Sequence, residues 1–392
     1  MMQHVYIIGS KGIPARYGGY ETFVENLTAG KQNDNIYYHV ASRSDNSQYG
    51  NQPVFYYNNS EIFNITVPNI GPAQAIVYDL KALSYALQDA KNNNYQQPIF
   101  YILTCRIGPF MKHYIKKIHQ IGGFYFVNPD GHEWKRAKWS WPVRKYWKYS
   151  EKLMVKYADL VICDNRKIEE YIKHDYAKYH PETTFIAYGT AIGSSKLTPK
   201  SAIVKKWYAA QDVKLHNYYL IVGRFVPENN YEIMLQEFML SKTKKDLVIV
   251  TNVKRNKFYH KLLQATNFTS DARIKFVGTI YDQELLKFVR ENAYGYIHGH
   301  EVGGTNPSLL EALSSTQLNL LIDVGFNHDV AHDVALYWTK KSHSLANTID
   351  KADQYSQEQL NQKRRQAQNI VKKEYTWPLI IAKYEKEFGL YK

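Results

Sequence analysis

Two hydrophobic periods alternate along this chain of 392 residues. Short apolar runs, "HVYIIGS", "IYYHVAS", "IFYILT", "FYFVNPD", "DLVICDN" and "TFIAYG", read as buried strands, and the segments between most of them carry helical spacing. "YETFVENLTAG", behind the first glycine turn, is such a helix, ending at Gly30. Strands that are apolar on both faces and separated by helices predict a parallel sheet with both sides covered. After Gly189 the pattern loosens into "TAIGSSKLTPKSA", small and polar with one proline, which reads as an interdomain connection. A second series then begins, "YYLIVGR", "DLVIVTN", "RIKFVGT", "AYGYIHG" and "NLLIDV", again separated by helical segments. The architecture repeats between the halves, with no repeat of residues.

A chain of this length exceeds one ordinary core, so the expectation is two doubly wound α/β domains facing a cleft. The boundaries read as 1–195 for the first and 210–375 for the second. In open α/β sheets ligands sit at the carboxyl ends of strands. Two turns lie there: "GSKGIPARYGGYE" after the first strand and "GHEVGGTNPSLLE" after a late strand of the second half.

In the later turn Gly303 and Gly304 remove side chains from the backbone, Thr305 or Asn306 can cap the following helix, and Pro307 suits its first turn, which Ser308 continues. Such a helix start directs free N–H groups and a positive dipole end at an anion, phosphate above all. Glu311, one turn in, is placed to accept hydroxyls of the same ligand. By itself the turn reads better as a capped surface helix. Arg224 in "VGRFVPENN" changes that balance, because it adds a fixed cation at another strand end, able to grip a diphosphate bidentately. In the first turn the amides of Gly18 and Gly19 offer similar donors, and Glu21 is either a ligand for an acceptor or a carboxylate favouring its own helix dipole.

Composition narrows the class. With 44% hydrophobic and 22% charged residues the chain is globular, not disordered. No run reaches the roughly 18 apolar residues of a membrane span, and the opening residues lack the layout of a signal peptide. Cys105 and Cys163 fit no metal motif and read as small core residues in a reducing cytoplasm. The formal charge of +14 favours an anionic partner. It concentrates between Trp134 and Lys156, where eight basic residues accompany one acidic residue and four of the seven tryptophans. Interleaved tryptophan and lysine suit an anionic bilayer interface, single-stranded nucleic acid, or a helix with buried rings and a solvated basic face.

The motifs "GRFVPENN" and "GGTNPSLLEA" resemble the retaining, nucleotide-sugar-dependent glycosyltransferases of family 4, which have the GT-B fold of two Rossmann-like domains. Together with "GSKGIPARYGGYETFVENL", "NPDGHEWKRAKW" and "ICDN" they resemble the subgroup of bacterial rhamnosyltransferases that build capsular or exopolysaccharide repeat units. The resemblance implies transfer of L-rhamnose from dTDP-L-rhamnose to glucose on undecaprenyl diphosphate, with UDP-linked donors as the alternative. It implies an enzyme on the inner face of the cell membrane, contacting it through residues 134–156, with no nucleic-acid partner. The tail, 376–392, resembles the last GT-B segment, a helix crossing back onto the first domain.

By the same resemblance Arg224 binds the diphosphate and Glu311 the nucleotide ribose. Gly18, Gly19, Gly303, Gly304, Thr305, Asn306 and Ser308 line the donor. Arg224, Asp130, His132 and Glu301 are candidate catalytic residues, and Glu21, Glu133, Lys135 and Arg136 candidate acceptor ligands. Two positions depart from the family pattern: Asn229 replaces its usual lysine, and Gly303 its first glutamate, with Glu301, His300 or a backbone amide left to contact the donor sugar. No Asp-x-Asp pair is present, and the family implies metal-independent retention in which the leaving diphosphate helps deprotonate the acceptor. Stabilising charge on that leaving group is then the main catalytic task. A noncatalytic membrane-binding or nucleic-acid-binding protein would also explain the charge, but leaves both phosphate turns without a purpose.

Overall fold

The structure is a computed structural model that describes residues 2–16, 18–136, 138–253 and 255–391. It divides into two compact units, Met1–Gly189 with Trp377–Lys392, and Thr190–Thr376.

The first unit alternates β1 (Gln3–Ile8), α1 (Gly19–Ala29), β2 (Ile36–Arg43), β3 (Val54–Tyr57), β4 (Ser60–Ile65), α2 (Gln74–Asn92), β5 (Ile99–Leu103), α3 (Gly108–Gln120), β6 (Phe124–Asn128), α4 (Trp141–Tyr157), β7 (Leu160–Cys163), α5 (Arg166–Asp175) and β8 (Thr183–Phe185). Its eight strands lie in the order β3-β4-β2-β1-β5-β6-β7-β8. Every pairing is parallel except β3 with β4, a hairpin that closes one edge. The continuous apolar runs follow from this arrangement: Val5 to Ile8 of β1 are wholly buried because helices cover both faces of the sheet. Cys105 and Cys163 are buried and unpaired.

The second unit contains α6 (Ala202–Gln211), β9 (Tyr218–Val222), α7 (Tyr231–Leu240), β10 (Asp246–Val250), α8 (Lys257–Thr266), β11 (Ile274–Gly278), α9 (Gln283–Glu291), β12 (Gly295–His298), α10 (Pro307–Ser315), β13 (Asn319–Ile322), α11 (Gly325–Ala331), β14 (Leu336–Trp338), α12 (Ser344–Ala352) and α13 (Gln357–Glu374). The strand order is β11-β10-β9-β12-β13-β14, all parallel. Side chains alternate across the sheet as the period of two requires: Tyr219 and Ile221 enter one core, Tyr218 and Leu220 the other. The last helix, α14 (Trp377–Leu390), belongs to the first unit. Its Ile380, Ile381, Tyr384 and Phe388 are buried, and Glu385 accepts the backbone N–H of Gln32 at 2.9 Å.

Three strands are absent from the sequence expectation. β3 and β4 come from "VFYYNNSEIFNI", where polar residues interrupt the apolar pattern, and β14 has three residues. "TFIAYG" forms a strand only as far as Phe185.

Candidate functional site

Strand order reverses between β9 and β12 in the second unit, and the segments leaving those two strands diverge there to opposite sides of the sheet, opening a crevice at their carboxyl ends. Arg224 stands two residues beyond β9, exposed, on a turn fixed by its own carbonyl, which accepts the Val226 N–H at 2.9 Å and Asn229 Nδ2 at 2.7 Å. Asn229 Oδ1 in turn meets His300 Nδ1 at 2.8 Å, and Asn230 Nδ2 donates to the Gly299 carbonyl at 2.7 Å. Where the resemblance has a lysine, this chain therefore uses an asparagine to tie the two strand-end turns together. Gly299 is needed for that closeness, since a Cβ there would come within 2.4 Å of the Asn229 carbonyl oxygen.

Beyond β12, Glu301 forms an ion pair of 2.5 Å with Lys340. Gly303 has φ of 137°, a conformation that suits glycine and strains any side chain, so the departure from glutamate at this position is built into the backbone. His298 is buried beside His300, and burial lowers its pKa to about 3, so it is neutral.

Asn306 caps α10, its side chain accepting the Ser308 N–H at 2.9 Å, with Pro307 in the first turn. Thr305 is buried just before it, and Gly304 is half-buried. Glu311 lies one turn in with its side chain 41% exposed, and its Oε2 sits 2.5 Å from Nη2 of the buried Arg290 on α9. The same nitrogen lies 3.4 Å from Ser308 Oγ. A cavity of about 560 Å³ lies along β11 and past the end of β10, lined by Thr251, Asn252, Arg255, Tyr259 and Thr279 among others, and neither Arg224 nor any residue of the α10 start lines it. Its size falls in the range of small-molecule sites.

In the first unit the order reverses between β1 and β5. Gly18 caps α1 with φ of 136°, and Gly19 opens the helix. Glu21 is buried against this turn, accepting the Lys11 N–H at 2.7 Å, so one of its oxygens closes the loop. Arg106, just past β5, bonds the Gly9 carbonyl at 3.1 Å and the wholly buried Asp79 at 3.2 Å. Burial pushes the Asp79 carboxyl up to about 6 against the pull of that arginine.

The turn after β6 holds Asp130 and His132, both non-glycine residues at positive φ, of 58° and 51°. His132 packs 4.2 Å from the Tyr171 ring, and burial, with Lys135 and Lys148 nearby, lowers its pKa to about 4. Glu133 is enclosed by Arg136, by Lys138 at 2.9 Å and by Trp139 Nε1 at 2.9 Å. Arg136, itself buried, also lies 3.7 Å from Asp130, while Lys135 is exposed over Trp134. Asp164, the first residue after β7, is buried, and burial with the charge of Asp130 pushes its carboxyl up to about 8.

The basic stretch forms a short turn and α4. Trp141, Lys145, Tyr149, Lys152 and Lys156 share one helical stripe, with Trp141 70% exposed, while Ser150, Glu151, Met154 and Val155 face the core. Of the other cations, Lys148 pairs with Asp175 at 2.9 Å. Trp134, Trp139 and Trp147 are half-buried. No helix among the described residues is long and apolar enough to cross a membrane. One group among them has metal-ligand composition, His39, Glu61 and Asp89, but its atoms are engaged: His39 meets Glu61 at 3.1 Å and His4 at 2.9 Å, and Asp89 accepts the Tyr6 hydroxyl at 2.5 Å.

Within each unit the sequence candidates gather at the strand ends beside the reversal point. Arg106, Asp164 and Arg290 were missed. The first two carry a signal, a charged residue within three positions of an apolar strand's end, as Arg224 does. Arg290 sits on a helix, and nothing in its neighbourhood marks it.

Residues 2–191 match a family described as a domain of unknown function, DUF1972. No curated protein matches significantly. Among solved structures the chain resembles a sucrose-phosphate synthase from Thermosynechococcus elongatus, at 16% identity and a TM-score of 0.76 over 99% of this chain and 98% of the other. It also resembles HepE of Anabaena in complex with UDP, at 14% identity and a TM-score of 0.72 over 99% and 100%. A third is the E. coli structure of trehalose-6-phosphate bound with UDP-2-fluoro glucose, at 11% identity and a TM-score of 0.70 over 98% of each chain. The fold is thus GT-B.

Proposed function

We propose that this protein is a retaining glycosyltransferase that moves L-rhamnose from dTDP-L-rhamnose to glucose carried on a lipid diphosphate, without a metal ion. The observation that carries the reading is the α10 start, where a capped helix N-terminus, two glycines and Glu311 stand at the reversal point of the sheet beside Arg224. Such a start stabilises the charge that develops on a departing nucleoside diphosphate, and Arg224 adds a permanent cation. In the first unit Asp130 and His132 are the catalytic candidates, and Glu21, Glu133, Lys135 and Arg136 the acceptor candidates. His132, neutral at physiological pH, can donate or accept one hydrogen bond to a sugar hydroxyl without repelling a cation. The basic, aromatic stripe of α4 suits an anionic bilayer, where a lipid-linked acceptor would be met.

A second reading keeps the chemistry and changes the donor, since HepE has been captured with UDP and UDP-glucose. Calorimetric titration with dTDP-L-rhamnose, UDP-glucose and dTDP, in buffer with chelator, separates the two. Tightest binding of dTDP-L-rhamnose is expected. Preference for UDP-glucose would discard rhamnose and keep the transferase, and silence with all three would remove the transferase reading.

A further inference from the structure

One face of the first sheet carries an imidazole and two carboxylates that the proposed reaction does not use. Strand register sets Tyr6 of β1, His39 of β2 and Glu61 of β4 side by side. Asp89 reaches them from α2, accepting the Tyr6 hydroxyl at 2.5 Å. One ligand atom from each of His39, Glu61 and Asp89 lies within 4.8 Å of the other two. His39 Nδ1 and Glu61 Oε1 stand 3.1 Å apart, close to the roughly 3.3 Å between two ligands on a tetrahedral zinc ion.

Charge points the same way. The chain has 50 Lys and Arg against 36 Asp and Glu, yet among the described residues no lysine or arginine pairs with Glu61 or Asp89, both half-buried. Like charges this close repel, and a divalent cation between them removes the repulsion. The contacts around the three residues orient them as outer contacts orient metal ligands. His39 is wholly buried and stacked on Tyr6 at 4.3 Å, and its Nε2 meets His4 Nδ1 at 2.9 Å. His4 is itself stacked on Tyr95 at 3.5 Å. An ion displaces the proton between His39 Nδ1 and Glu61, and His39 keeps its proton on Nε2, shared with His4. Asp89 stands about 15 Å along α2 from Asp79, which pairs with Arg106 at the strand-end turns.

We infer that His39, Glu61 and Asp89 bind a divalent transition ion of zinc's class, which clamps α2 to β2 and β4, with His4 and Tyr6 as orienting neighbours. This site is independent of the transferase reading.

The test is titration of the full chain, stripped with chelator and dialysed, with Zn²⁺ alone, read by calorimetry and by melting temperature. One equivalent should bind and raise the melting temperature. Glu61→Gln and Asp89→Asn remove the charge and keep the shape, and each should weaken zinc binding about a hundredfold, the upper end of what loss of even an outer contact costs. A wild type that binds no zinc, or whose melting temperature zinc does not move, overturns the inference, as does a folded variant that binds as tightly as wild type. Where the variants do not fold, Co²⁺ on the wild type decides. Absorption bands of a nitrogen and oxygen site are expected, and their absence, or a thiolate charge-transfer band placing the ion on Cys105 or Cys163, overturns the inference.

Discussion

The residues that distinguish this chain are polar groups whose partners lie far away in sequence. Arg290 reaches Glu311 across 21 positions and Asn229 reaches His300 across 71. Asp164 is the sharpest case. Its carboxyl, 3% exposed and beside Asp130, is raised to about 8 from an ordinary value of 3.8. The folded protein therefore holds a proton that the unfolded chain gives up, so stability from this group is complete below about pH 4 and is lost as pH rises through 8. Asp164→Asn keeps a neutral side chain at every pH. Its melting temperature relative to wild type should climb between pH 5 and 9, and a flat difference would mean that Asp164 is already ionised in the fold.

At the scale of single elements, α4 separates two kinds of charge that the sequence presents as one run. Arg136 and Lys148 are bound to carboxylates of the first unit, whereas Lys145, Lys152 and Lys156 line the stripe that carries Trp141 and Tyr149. Each cation near an anionic surface contributes about 1 kcal/mol before screening. Changing Lys145, Lys152 and Lys156 to glutamine together should lower partition onto phosphatidylserine vesicles at least tenfold in flotation, and salt should reproduce the loss. Arg136→Gln should instead lower the melting temperature, because Glu133 loses a buried partner. Retention of the triple variant on vesicles would turn the stripe into an ordinary solvated face. α10 shows the opposite relation to sequence: its cap and proline are local, and "TNPS" announces them.

On the scale of the whole molecule, the chain leaves its first unit at Gly189 and re-enters it at Trp377. Ile380, Ile381 and Phe388 of α14 are buried there, and burying an Ile or Phe side chain contributes about 1.5–3 kcal/mol. Deletion of residues 377–392 should therefore destabilise the first unit and spare the second. Limited proteolysis should move its cuts into residues 2–189, and equal protection of both units would show that α14 adds little. The two doubly wound α/β units were readable because apolar strands and periodic helices declare themselves over a few residues, as in "HVYIIGS" and "DLVIVTN", while GT-B was an expectation from the resemblance of "GRFVPENN" and "GGTNPSLLEA". β3 and β14 escaped because short edge strands bury too little to show a pattern, and β4 because Ser60, Glu61 and Asn64 interrupt its apolar run. The sequence by itself determined the alternation of elements, the glycine turns at strand ends and the capped start of α10, all of which depend on backbone preference and hydrophobic period within one local stretch. Only the tertiary structure decided that Arg290 sits under Glu311, that Asn229 joins two turns, that Glu21 closes its own loop and that Asp164 is buried beside Asp130. Those facts depend on burial and on distances between segments far apart in the chain, and local pattern carries neither.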